Sequence, residues 1–187
     1  MDSRKTQFAF LIAGTVIGLP DGTTIPIEKI KVATKVATHS GHTATVTGLV
    51  TKRVSGTVLD IGVLGPFEHI HLSPKQLVGF FPYIDNPEAP TRLNMILSPI
   101  GDLDFGDKIL MPWIAANKTS FFDKVLKPLQ DAVSGLLVPS VAVQSCADGL
   151  IVPITDIYIR EAVQEKAYSL TVAGEGSFIA NGVAVFN

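Results

Sequence analysis

Short β-branched runs, each closed by glycine, proline, aspartate or asparagine, constrain this chain more than any other feature of its sequence. Valine, isoleucine and threonine are stiff at χ1 and pack well on a pleated surface, so repeated short runs of them specify strands. The runs fall at Phe8–Ile17, Thr24–Ile27, Lys35–Thr38, Thr43–Thr51, Gly56–Ile61, His69–Leu72, Leu93–Leu97, Lys108–Pro112, Val138–Val143, Gly149–Arg160, Ala167–Val172 and Ser177–Phe186. Turn formers stand between them: Pro20-Asp21-Gly22, Ser40-Gly41, Asn86-Pro87 and Ala180-Asn181-Gly182. The Asn181-Gly182 pair predicts a tight hairpin, because such a turn needs residues that accept positive φ.

One segment departs from this pattern. Phe121, Phe122, Val125, Leu126, Leu129, Ala132, Val133, Leu136 and Leu137 recur at three- and four-residue intervals, which is helical periodicity. Ser120 caps its start, Asp123 lies in its first turn and Gly135 near its end, while Pro128 predicts a kink or a division. The expected class is all-β with one inserted amphipathic helix at about 119–137. Its apolar face packs on the sheets or is offered to a partner.

Composition removes several classes of function. Hydrophobic residues make up 47% of the 187 residues and charged ones only 17%, so ordering entropy is readily offset and a disordered chain is excluded. A net charge of −2 gives no electrostatic footprint for nucleic acid. A single cysteine, Cys146, excludes a disulfide scaffold and a cysteine zinc site. The apolar stretch Phe8 to Leu19 is too short to span a membrane, which takes about 20 residues. With Arg4 and Lys5 before it, the stretch imitates a signal peptide. Its C-terminal flank, Gly18-Leu19-Pro20-Asp21-Gly22, is turn chemistry and not a cleavage site, and a buried strand is the stronger reading.

Phe81 to Arg92, with Pro82, Pro87 and Pro90, reads as a loop between two halves. The halves echo each other: Ile27-Glu28-Lys29-Ile30-Lys31-Val32-Ala33-Thr34-Lys35-Val36 resembles Gly101-Asp102-Leu103-Asp104-Phe105-Gly106-Asp107-Lys108-Ile109-Leu110. In each, an acidic turn flanked by apolar residues leads into a strand.

Three stretches together resemble the Hint fold, shared by inteins and the autoprocessing domains of Hedgehog proteins. Leu11-Ile12-Ala13-Gly14-Thr15-Val16-Ile17, followed by Asp21-Gly22-Thr23, looks like the opening block. Ile70-His71-Leu72-Ser73-Pro74-Lys75-Gln76-Leu77-Val78 looks like the block carrying a T-x-x-H motif. Ala167-Tyr168-Ser169-Leu170-Thr171-Val172, continuing through Ser177 to Asn187, resembles the closing blocks. The resemblance implies a pseudo-two-fold β fold with adjacent termini, covering 10–187 after an extension at 1–9.

In that family a cysteine or serine at the first position attacks the preceding carbonyl. The T-x-x-H block protonates the departing amide, and a terminal asparagine cyclises with help from a penultimate histidine. Carried over, the first position falls on Phe10 by intein spacing, or on Ala9 by Hedgehog spacing, and neither side chain has a lone pair. Thr6, the nearest hydroxyl upstream, is out of register. The T-x-x-H motif stands as Ser73-Pro74-Lys75-Gln76, and Gln76 donates a hydrogen bond but does not shuttle protons. Phe186 is penultimate. Only Asn187 matches, while Ser169 occupies a late-block position where relatives carry Asp, Asn or a nucleophilic Cys.

Other clusters give no competing site. His69 and His71 alternate on a strand without a third ligand in view, and His39 and His42 flank a turn and are expected in solvent. Asp102, Asp104 and Asp107 lack calcium-loop spacing and read as turn residues, and Cys146 reads as a free thiol. No cofactor or metal is called for. The expectation is a catalytically degenerate Hint-fold protein: a structural or protein-interaction module with a protein partner or a homo-oligomer, cytoplasmic or within a larger assembly. The enzyme alternative is a divergent autoprocessing domain with cleavage dependent on Asn187, where a cleaved product would end, or acting through Ser169 or Cys146. A β-rich coat or assembly subunit unrelated to inteins is a third reading; adjacent termini would argue against it, whereas Phe10 far from Phe186 would remove the family resemblance.

Overall fold

The computed structural model describes residues 9–63, 69–81, 95–112, 144–145 and 149–187. The expected helix at about 119–137, Cys146, the strand at 138–143, most of the proline-rich loop and the first eight residues lie outside them.

The described residues are all-β. Strands β1 (Leu11–Ile12), β2 (Val16–Gly18), β3 (Thr24–Pro26), β4 (Lys35–Ala37) and β5 (Thr43–Val63) come first. They are followed by β6 (Ile70–Leu72), β7 (Leu77–Phe81), β8 (Ile96–Pro99), β9 (Lys108–Pro112) and β10 (Gln144–Ser145). The last are β11 (Gly149–Val172), β12 (Ser177–Ala180) and β13 (Val183–Phe186). Every pairing is antiparallel.

The apolar run at Phe8–Ile17 is two strands, not one. Thr15 breaks it: its hydroxyl, 1% exposed, donates to the Ile12 carbonyl at 2.8 Å and closes a turn over Ala13-Gly14. Leu11 then pairs with Tyr168 and Leu72, while Ile17 pairs with Ile25 and Ala180, so the run enters the core twice. Leu11 and Ile17 are among the most deeply buried side chains. No helix among the described residues is long and apolar enough to cross a membrane.

Conversely, four expected strands merge into two. β5 and β11 pair along most of their length, from Val46–Val172 to Val63–Ile154. The polar stretches Lys52-Arg53 and Gln164-Glu165-Lys166 look like breaks in the sequence because they carry charge. They are exposed or half-buried ladder positions instead, and the surplus residues are absorbed by register shifts. At one shift Gln164 takes φ 56° and donates its backbone N–H to Ser55 Oγ at 3.1 Å, as a bulge requires.

β7 is a strand the sequence pattern did not single out. It pairs with β8, β9 and β13 and so carries the C-terminal strand. The Asn181-Gly182 hairpin between β12 and β13 forms as expected, with φ 45° and 83° at the two turn residues.

The two echoing segments fold alike, one residue out of the register read from sequence. Ile27 corresponds to Ile100 and not to Gly101. Both begin a short 3-10 turn after a proline, Pro26 or Pro99. Ile30 and Leu103 donate to the carbonyls of Ile27 and Ile100. Ala33 (φ 73°) and Gly106 (φ 90°) take left-handed backbone at the matching place, and donate to Val46 and Ile154 at 2.8 and 2.9 Å. Val46 and Ile154 in turn donate to Thr34 and Asp107, at 2.9 and 2.8 Å. The turn openers match too: Ile27 donates to Thr15, and Ile100 to Gln76.

Candidate functional site

A tight turn after β6 begins the site. Gln76 donates its backbone N–H to the Ser73 carbonyl at 3.0 Å, so the two ends of Ser73-Pro74-Lys75-Gln76 meet. Ser73 binds the N-terminal segment from both sides. Its N–H donates to the Phe10 carbonyl at 2.9 Å, and its hydroxyl accepts the Phe10 N–H at 3.4 Å. Gln76 reaches the other end of the chain, donating from Nε2 to the Phe186 carbonyl at 2.7 Å. Ser73 and Gln76 are 2% and 4% exposed, so these bonds are shielded from water.

Phe10 and Phe186 therefore lie at one place, joined through a two-residue relay of hydrogen bonds. Their adjacency argues against a β-rich subunit unrelated to inteins. β1 pairs Leu11, which follows Phe10, with Tyr168, which precedes Ser169. Ser169 itself pairs with Val50 across β5. Phe186 pairs with Ser177 on one side and Leu77 on the other. Asn187 continues that edge, donating its N–H to the Gly176 carbonyl at 2.9 Å, and is itself exposed. A Cβ at Gly176 would stand 3.6 Å from the Asn187 carbonyl oxygen and 3.7 Å from its Oδ1.

His39 joins this site, against the expectation that it is solvated. Its side chain is 13% exposed, whereas His42 is 74% exposed. The His39 ring lies 5.1 Å from that of Phe186, and its Nδ1 is 2.7 Å from Ser177 Oγ. The backbone N–H of His39 donates to the same oxygen at 3.3 Å. Glu175 completes the cluster, with its carboxylate 2.9 Å from His42 Nδ1 and 3.5 Å from His39 Nδ1. Burial works against the charge of Glu175. Hydrogen bonds from Ser40, His42 and Thr38, with the nearby His39, outweigh it and bring the carboxyl down to about 2. A turn flanked by two histidines gives no sequence signal for which one is buried. That is set by β4, which aims the first at β12.

The remaining candidates are placed elsewhere. His71 Nδ1 is 2.6 Å from Asp60 Oδ1, which also accepts from Arg160 Nε at 3.2 Å. His69 stacks on Tyr158 with centroids 6.0 Å apart. Asp107 Oδ2 accepts the Asp104 N–H at 2.8 Å and so serves its own turn. Asn181 ties the halves of the site: its Oδ1 accepts from Val16 N–H at 2.7 Å, and its Nδ2 donates to the His69 carbonyl at 2.9 Å.

No protein-family profile and no curated protein sequence matches this chain. Solved structures do. The bacterial intein-like domain from Clostridium thermocellum is similar with a TM-score of 0.62 at 16% identity, over 97% of this chain and 100% of that one. The DnaB intein from Synechocystis sp. PCC 6803 is similar at 0.60 and 15% identity, covering 96% and 98%. The gp41-1 intein is similar at 0.56 and 17% identity, covering 97% and 100%. Likeness over nearly the whole of both chains at such low identity is a likeness of architecture: this chain has the intein-like Hint fold.

Proposed function

We propose that this chain is a catalytically degenerate Hint-fold protein that serves as a structural or protein-interaction module, with a protein partner or a second copy. The observation that carries this reading is the state of Gln76. A side chain placed to handle a proton is instead a buried amide whose nitrogen is committed to the Phe186 carbonyl at 2.7 Å. Phe10 and Phe186 add neither nucleophile nor acid. The matched bonds of the two echoing turns support a pseudo-two-fold arrangement, retained as a scaffold after the chemistry was lost.

A second reading, divergent autoprocessing dependent on Asn187, is favoured by one observation. Asn187 is held at the strand edge by the Gly176 carbonyl, with His39, a titratable group, packed on the preceding residue. One experiment separates the two. Passenger proteins are fused to both ends and intact masses tracked over days at neutral pH. The degenerate reading expects the full-length fusion alone. Cleavage at either junction that disappears in Asn187→Ala overturns it.

A further inference from the structure

The turn between β4 and β5 is tied to the C-terminal hairpin by side chains, with no ladder between the two. Within itself the turn is closed by Thr38 donating to the His42 carbonyl and Gly41 to the Thr38 carbonyl, at 2.9 and 3.1 Å. Two groups from the far side hold it down. Ser177 Oγ takes both the backbone N–H and the ring nitrogen of His39. Glu175 gathers Ser40 at 2.5 Å, His42 at 2.9 Å and Thr38 onto one carboxylate. The His39 ring packs on that of Phe186, and the Asn187–Gly176 backbone bond follows at the adjoining end of the hairpin.

We propose that the 38–42 turn is a latch over the C-terminal strand, held shut by Glu175, and that its release exposes the Phe10–Gln76–Phe186 junction to solvent. The physical reason is concentration of the fastening. One carboxylate receives several donors, and charge-assisted bonds of this kind are about twice as strong as neutral ones. Glu175 sits in Ala173-Gly174-Glu175-Gly176, whose two glycines take φ 79° and 65°; backbone bonds to Thr45 and Asn187 hold the ends of this connection, and the Glu175 side chain fastens it to the turn. The titratable and charged groups facing Glu175 among the described residues are His39 and His42. This goes beyond the degenerate-module reading and does not depend on whether any cleavage occurs.

Amide hydrogen exchange on the full chain at neutral pH tests it. Glu175→Gln keeps the shape and removes the charge. The amides of His39 and Asn187 are expected to exchange about tenfold faster, through local opening. Those of Gly106 and Ile154, fastened at the other matching turn, are expected to be unchanged. No change at His39 and Asn187, or an equal rise at all four, overturns the latch. If Glu175→Gln fails to fold, the pair Ser40→Ala with His42→Ala decides by the same four amides. Its expected rise is smaller and confined to the same two positions.

Discussion

Ala33 and Gly106 occupy the same place in the two echoing turns, and exchanging their residue types tests that equivalence in energy. Ala33 holds φ 73°, a conformation that costs an L-residue about 1–2 kcal/mol. Replacing it by glycine relieves this cost but adds about 0.4–1 kcal/mol of freedom to the unfolded chain. The net for Ala33→Gly is a stabilisation of about 0.5–1 kcal/mol. Ala33 is exposed, and its N–H bond to Val46 survives the change, so no packing term intervenes. Gly106 holds φ 90°, and a Cβ there meets nothing within 4 Å. Gly106→Ala therefore incurs the same backbone cost with no clash, a destabilisation of about 0.5–1 kcal/mol. The sites share no hydrogen-bond partner, so the double variant returns close to the parent. Urea unfolding at constant m-value reads all three. A loss of stability in Ala33→Gly, or none in Gly106→Ala, refutes the reasoning.

Buried polar groups set the other expected outcomes. Tyr168 is 3% exposed and its hydroxyl has no hydrogen-bond partner among the described residues, so Tyr168→Phe removes a desolvation penalty and raises stability by up to about 1 kcal/mol in a thermal melt. Phe186 is 6% exposed, and Phe186→His trades a buried ring for one with a polar nitrogen in an apolar cluster, lowering stability by about 2–4 kcal/mol in denaturant. Glu175 titrates near 4.5 when unfolded and at about 2 when folded. A depressed carboxyl contributes stability that is present above the unfolded value and is lost as pH falls from about 4.5 towards 2. Because its side chain is 36% exposed, screening holds this to about 1 kcal/mol; the slope of stability against pH below 4.5 flattens correspondingly in Glu175→Gln.

The local chemistry of the sequence was legible where one residue decides one conformation. Asn181-Gly182 could close only a tight turn, and the late block ending in Asn187 placed the junction. Two things were hidden for a common reason: they are decided by partners far away along the chain or by a single buried hydroxyl. The charges at Lys52-Arg53 and Gln164-Glu165-Lys166 read as strand breaks. Each stretch is continuous only because the other pairs with it, at Arg53–Lys166 and Val54–Glu165. Thr15 reads as part of a strand, but its buried hydroxyl turns on the Ile12 carbonyl and splits the run. The echo between the halves is also displaced by one residue. Its acidic residues look like the anchors in sequence, whereas the fold matches the prolines, Pro26 with Pro99. Where a side chain does help, the position is matched and the residue type differs: Thr34 Oγ1 accepts the Lys31 N–H as Asp107 Oδ2 accepts that of Asp104.

The same distinction explains how the junction holds its geometry with phenylalanine at positions 10 and 186. Phe10 and Ser73 meet through the Ser73 N–H and the Phe10 carbonyl, which any residue at position 10 would supply. Phe186 is placed by its ladder with Ser177 and Leu77, and Gln76 takes hold of its carbonyl and not its ring. The side chains at 10 and 186 are thus released from positioning, and each has gone into an apolar cluster. Phe10 packs with Ile12, Val58, Ala162 and Ala167, and Phe186 with Phe81, Leu110, Ile151 and Ala184. A polar residue at either position would have to leave such a cluster and be solvated or paired in a site where Gln76 and Ser73 are already satisfied. Backbone hydrogen bonding fixes where residues 10 and 186 meet, which leaves their side chains to hydrophobic packing.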